Sequence, residues 1–226
     1  PHFNEAFSFA QQLVPSIKTV GFITKESPTG QAHFNQIQRE SEEYSVTISS
    51  FKTVTTADEL VEKVKMIRNN SDAMYIASLA GIVDSEGTPL SEKESTQMAI
   101  DAFGNKPTIG DEKYTVKYGA LCSVVRTGQE QGETAAKMLL QAMNQKPVSS
   151  IPVAQNRRGQ RIINATVMRS MKLKVKPEVL RGAQLVKTEP FRVLAVMSYD
   201  DQYAWAQEIK EGIDTALSSS CLLKYV

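Results

Sequence analysis

Apolar runs of strand length alternate along this chain with segments of helical period, which restricts it to folds built from βαβ units. The first run, Thr19-Val20-Gly21-Phe22-Ile23-Thr24, ends in a turn, Lys25 to Gly30, and a polar helix pattern follows to about Glu43. Val46 to Phe51 alternates and is rich in β-branched residues, so it reads as a strand. Thr56-Ala57-Asp58-Glu59 opens a helix that places Leu60, Val61, Val64 and Ile67 on one face. Ala73 to Ser78 is the next strand, and Ser91 with Glu94 three residues on opens a helix running to about Phe103. Pro107–Gly110 and Ala120–Val125 are short strands. Thr127–Asn144 is a long amphipathic helix carrying Ala135, Ala136, Leu139, Leu140 and Met143. Every connection has helical length, so residues 19–24, 46–51, 73–78, 107–110 and 120–125 are expected to share one mostly parallel sheet.

The pattern changes after Pro147. Residues 151–188 hold short apolar runs and a basic helix around Ala165–Met171, and read as a closing or hinge segment behind a complete α/β lobe at 1–150. Phe191–Met197 then begins a fresh β unit, with a helix from about Tyr203 to Leu217 and a further apolar run at Cys221–Val226. A doubly wound sheet does not close on two strands, so residues 189–226 are expected to start a separate sheet, the beginning of another lobe.

Lys and Arg total 26 against 25 Asp and Glu, a formal charge of +1, which leaves no bulk field for nucleic acid or an anionic membrane. Any partner is therefore recognised locally. The short basic clusters, Arg157, Arg158 and Arg161, then Lys172, Lys174 and Lys176, have no interleaved aromatics and read as solvated faces. No apolar stretch has the length of about 18 residues that spans a bilayer, and no signal-peptide pattern opens the sequence. Two cysteines, Cys122 and Cys221, make no disulfide framework, and with His2 and His33 they show no metal-ligand spacing. Gly-x-Ser-x-Gly and His-Glu-x-x-His motifs are absent, and His33 sits in a polar helix pattern where exposure is expected, so neither cofactor nor catalysis is indicated.

Open parallel sheets bind ligands in the loops at the carboxyl ends of their strands. Ser27-Pro28-Thr29-Gly30-Gln31 joins two hydroxyls and a glycine to a helix start, which suits a carboxylate or phosphate and equally suits a plain capped helix. Ser78-Leu79-Ala80-Gly81 follows the next strand. Asp111 and Glu112 follow another, where Asp111 suits either a ligand ammonium or a helix cap. Ser198-Tyr199-Asp200-Asp201-Gln202-Tyr203-Ala204-Trp205 concentrates two tyrosines and the sole tryptophan of a chain with 7% aromatics. Flat faces for an organic ligand are the favoured reading there.

Val193 to Tyr199 with Tyr203-Ala204-Trp205, Glu208-Ile209 and Gly212-Ile213 resembles the opening strand and helix of the ABC-transporter substrate-binding proteins related to tryptophan/tyrosine-type binding proteins. Phe9 to Gly21, the Ser27–Gly30 loop, Gly119-Ala120 with Gly128–Gly132, Ile163-Asn164 and Leu173–Leu180 are similar to that family's second lobe and closing segment. The order departs from the family: what resembles its beginning, 189–226, follows what resembles its end, as in a permuted chain or two consecutive cropped modules. The resemblance implies a type I periplasmic-binding fold, two α/β lobes closing on a small solute in the interlobe cleft. It also implies an extracytoplasmic location, periplasmic or lipoprotein-anchored, and delivery to a membrane permease. It implies that Ser27, Thr29 and Gly30 hold a carboxylate and that Ser78 and Asp111 hold polar or ammonium groups. Ser198, Tyr199, Tyr203 and Trp205 would contribute from the other lobe to a solute of the amino-acid class. The rival implication is the ligand-sensing domain of a signalling receptor, with an α/β enzyme as a third.

Overall fold

The computed structural model describes residues 2–153, 159–188, 191–198, 203–217 and 221–225. They form two units, residues 1–186 and 187–226.

In the first unit, helix α1 (Phe3–Leu13) precedes a run of strands and helices in strict alternation. These are β1 (Thr19–Lys25), α2 (Pro28–Glu40), β2 (Thr47–Val54), α3 (Ala57–Asn70), β3 (Ala73–Ile76), α4 (Glu92–Phe103) and β4 (Thr108–Gly110). Then come α5 (Lys113–Lys117), β5 (Cys122–Val125) and α6 (Gly128–Met143). The order β2-β1-β3-β4-β5 is parallel throughout, as the spacing predicts. The caps act where the sequence places them. Thr56 accepts from the Glu59 amide, and Ser91 and Glu94 close a full capping box.

Residues 160–186 do more than close the lobe. β6 (Gln160–Asn164) pairs antiparallel to β5, and after α7 (Ala165–Ser170) and α8 (Pro177–Leu180), β7 (Gln184–Val186) pairs parallel to β6, giving a seven-stranded sheet. Their weak patterning reflects position: β7 is the edge strand, with Leu185 half exposed.

Alternation along the strands divides the core between the two faces. Val20, Phe22 and Tyr75 point to one face, with Phe3, Phe7 and Ala10 of α1. Ile23, Met74 and Ile76 point to the other, with Leu60, Val64 and Ile67 of α3 and Phe103 of α4. Gly21 allows this second layer to approach closely, because a Cβ there would overlap Ile67. The aromatic knot on the first face is dense: the Tyr75 ring lies 4.7 Å from Phe22 and 5.2 Å from Phe3. α6 differs from the other long helices of this unit. Of its residues only Glu130 is buried, and its stripe of Leu139, Leu140 and Met143 is 61%, 56% and 69% exposed.

In the second unit, β8 (Phe191–Ala195) and β9 (Cys221–Tyr225) pair in parallel across α9 (Ala204–Leu217), a two-stranded sheet separate from the seven-stranded one. The Tyr225 hydroxyl donates to Asp214 at 2.8 Å, fixing α9 to β9. No helix among the described residues is long and apolar enough to cross a membrane.

Because Phe7 is fully buried against Phe22, Tyr44 and Tyr75, Phe7→Ala is expected to lower stability by about 3–5 kcal/mol in urea denaturation. A loss below about 1 kcal/mol would show that α1 does not seal this face.

Candidate functional site

Five parallel strands deliver their following loops to one edge of the sheet, and those after β1, β3, β4 and β5 carry the polar side chains. After β1, Ser27 is the N-cap of α2: its hydroxyl accepts from the Gly30 amide at 3.0 Å and donates to the Lys25 carbonyl at 3.3 Å. Gly30 is fixed by close approach, since a Cβ there would lie 2.8 Å from that same carbonyl oxygen. Thr29, between them, is exposed and is the outward-facing hydroxyl of this loop.

After β3, the chain is tied down from both sides. Lys25 donates its amide to the Ser78 carbonyl at 3.0 Å, and the Glu92 carboxylate accepts from the Leu79 amide at 3.1 Å and from the Ser78 hydroxyl at 3.5 Å. Burial, followed by the charges of Glu92, Glu112 and Asp111, pushes the nearby Tyr114 phenol well up. Ser78 is thus the hub of an internal network that holds the loop.

After β4, Asp111 donates its amide to the Ile76 carbonyl at 3.0 Å. Its carboxylate does not cap the next helix, whose N-cap is Glu112 with no side-chain bond. Instead Asp111 Oδ1 accepts the Tyr75 hydroxyl at 2.7 Å. Tyr75 is fully buried, and burial first, then the Asp111 charge, raises its hydroxyl well above its ordinary value, so it remains a proton donor at any physiological pH. Burial and then the Asp111 charge also raise the Glu112 carboxyl. After β5, Arg126 is exposed and lowers Glu112 in opposition, while Thr127 caps α6 by accepting from the Glu130 amide at 3.2 Å.

His33 corrects the expectation of exposure: it is 6% exposed, edge-on to Phe3 at 5.7 Å between centroids, and its Nδ1 has no hydrogen-bond partner among the described residues. Its position in α2 turns it under the loop, towards the core filled by α1. Burial lowers its pKa, against the pull of Asp111.

The remaining expected site residues belong to the second unit. Ser198 is exposed, and Tyr203 and Trp205 are 55% and 53% exposed, with Ala206 rather than the aromatics fully buried. Tyr199, Asp200 and Asp201 lie outside the described residues, as do Arg157 and Arg158. Sequence reasoning missed Tyr75, Glu92 and Tyr114. The phenol of Tyr75 inside an otherwise apolar strand was the available signal, because a buried hydroxyl requires a partner. A groove of about 790 Å³ lies elsewhere, along edge strand β2, lined by Phe34, Ile37, Tyr44, Ile48 and Phe51. It lacks the oriented carboxylate and helix start of the strand-end loops, which therefore remain the stronger candidate. Among the described residues no cluster of His, Cys, Asp and Glu is set to hold a metal.

Residues 3–187 match the sequence pattern of the ABC transporter substrate binding protein family. The chain belongs to that family. Three solved structures share the fold. One is a substrate-binding protein with adhesive properties from Clostridium difficile, in a ligand-free open form (TM-score 0.62, 16% identity, covering 82% of this chain and 59% of that one). Another is an ABC domain from Streptococcus pneumonia in complex with L-Trp (0.57, 19%, 81% and 61%). The third is a conserved domain protein from Vibrio cholerae (0.57, 14%, 81% and 60%). This substrate-binding chain spans about 60% of the length of the structures it matches. No curated protein matches it. Its fold is of the type I periplasmic-binding kind, as the resemblance implied.

The buried imidazole gives a pH test. A His whose folded pKa lies below 6.5 leaves the unfolded chain binding more protons, so stability is complete above about pH 6.5 and falls as pH drops below it. Denaturation midpoints of the parent should fall more steeply from pH 7 to 5 than those of His33→Gln. Equal slopes would show that His33 protonates freely in the fold.

Proposed function

We propose that this substrate-binding protein captures a small zwitterionic solute of the amino-acid class, outside the cytoplasm, and delivers it to a membrane permease without chemical turnover. The observation that carries this reading is the Asp111 carboxylate, half-buried at the strand ends with one oxygen fixed by a buried phenol. A carboxylate oriented in that way is a receptor for an ammonium group, with charge-assisted bonds worth about 1.5–3 kcal/mol. The α2 start supports the other half of a zwitterion. Its Thr29 hydroxyl and helix N-terminus favour a carboxylate, with Ser27 and Gly30 shaping the loop and Ser78 holding the one beside it. Ser198, Tyr199, Tyr203 and Trp205 would supply contacts to an aromatic side chain, as the family resemblance implies. The pneumococcal relative was solved with L-Trp, which makes aromatic amino acids the first to try.

Calorimetry on the full-length natural protein tests it with L-tryptophan, L-tyrosine, aliphatic amino acids and the deaminated analogue indole-3-propionate. Asp111→Asn and Thr29→Ala are each expected to weaken the best amino acid roughly 10- to 100-fold, and Trp205→Ala to weaken aromatic solutes alone. Equal affinity for L-tryptophan and indole-3-propionate would remove the ammonium role, and no binding across the panel would remove the solute class.

A further inference from the structure

Between residues 169 and 181 the chain carries five cations, Arg169, Lys172, Lys174, Lys176 and Arg181, against the single carboxylate of Glu178. In a protein whose formal charge is +1 that is a local excess. Sequence alone reads these lysines as a solvated face, but the structure gives them an order. From Lys172 to Lys176 exposure alternates: the three lysines are exposed, and Leu173 and Val175 between them pack on the core of the first unit. Leu173 and Val175 are partly buried against that core, which leaves the lysines beside them turned outward. Arg169 and Arg181 flank this row of lysines, also exposed. None of the five forms an ion pair among the described residues. Lys172 itself has φ 53, the left-handed turn after α7 that glycine fills at lower cost, yet a lysine stands there.

The row begins at the end of the sheet away from the strand-end loops. β6 runs antiparallel to β5, and its last residue, Asn164, bonds Leu121 at the start of β5 at 2.9 Å. α7 and Lys172 follow directly from there.

We propose that this row is an electrostatic contact for an anionic phospholipid surface. A specific protein partner would call for an apolar anchor at the centre of the contact, and here every apolar side chain within the row is turned inward. A nucleic acid would call for interleaved aromatics or groove-reading side chains, which the row lacks. Regular cations without an anchor match a laterally uniform anionic layer, at roughly fivefold in partitioning per Lys or Arg.

The test is co-sedimentation of the full chain with vesicles of phosphatidylglycerol and phosphatidylcholine at roughly 3:7, beside phosphatidylcholine alone. Binding is expected on the anionic vesicles in about 0.01 M salt and is lost in about 1 M, where screening shortens to about 3 Å. The triple variant Lys172→Gln, Lys174→Gln, Lys176→Gln should lower partitioning roughly 100-fold, Lys174→Gln alone about fivefold, and Lys65→Gln on α3 should leave it unchanged. The melting temperature of the triple variant should match the parent, since all three side chains are exposed. Absence of binding to anionic vesicles, or triple and single variants that bind as the parent does, would overturn the proposal. Retention on immobilised polyaspartate without vesicle binding would overturn it in favour of an acidic protein.

Discussion

The bond from Tyr75 to Asp111 joins the two things this fold must do. Its ring is part of the packed first face, against Phe3 and Phe22, and its hydroxyl reaches the edge of the sheet to hold a carboxylate at 2.7 Å. A buried hydroxyl without a partner costs free energy, and a half-buried carboxylate without a donor does too. Each settles the other's demand. Slipping β3 by one residue would send Tyr75 to the opposite face and release Asp111. The candidate site is therefore tied to the core register, and not to a loop alone.

Parallel order makes that arrangement possible. Because β1, β3, β4 and β5 run the same way, their following loops arrive at one edge, where helix starts supply amide groups and the turns bring in short polar side chains. The bonds from Ser78 and Leu79 to Glu92 then stiffen the middle of that edge. Ser27 and Gly30 serve the same purpose at α2, one as a cap and the other as the small residue beneath it. Groups at that edge that reach solvent include the exposed Thr29 and Arg126 and the half-buried Asp111 carboxylate.

The parallel core was legible because its strands are short apolar runs and its helices carry their caps in the sequence; Thr56 and Ser91 are examples. Antiparallel β6 and edge strand β7 were not, since neither a change of strand direction nor a half-exposed edge leaves a periodic mark. His33 was misplaced for a related reason. Its neighbours in α2 are polar, and only the arrival of Phe3 from a distant helix buries it. Asp111 was found by its place after a strand, but its partner was not, because the pairing spans 36 residues and depends on register. The three lysines were visible in the sequence. Their outward orientation depends on Leu173 and Val175 packing against the core.

The central claim is that Asp111, held by Tyr75, receives the cationic group of a bound solute. A crystal structure of the full-length protein with the small molecule that co-purifies with it addresses that claim directly. A solute nitrogen within about 3 Å of the Asp111 carboxylate, with the Tyr75 bond intact, is the expected result. A solute seated in the groove beside β2, or one at the strand ends that leaves Asp111 untouched, would contradict it.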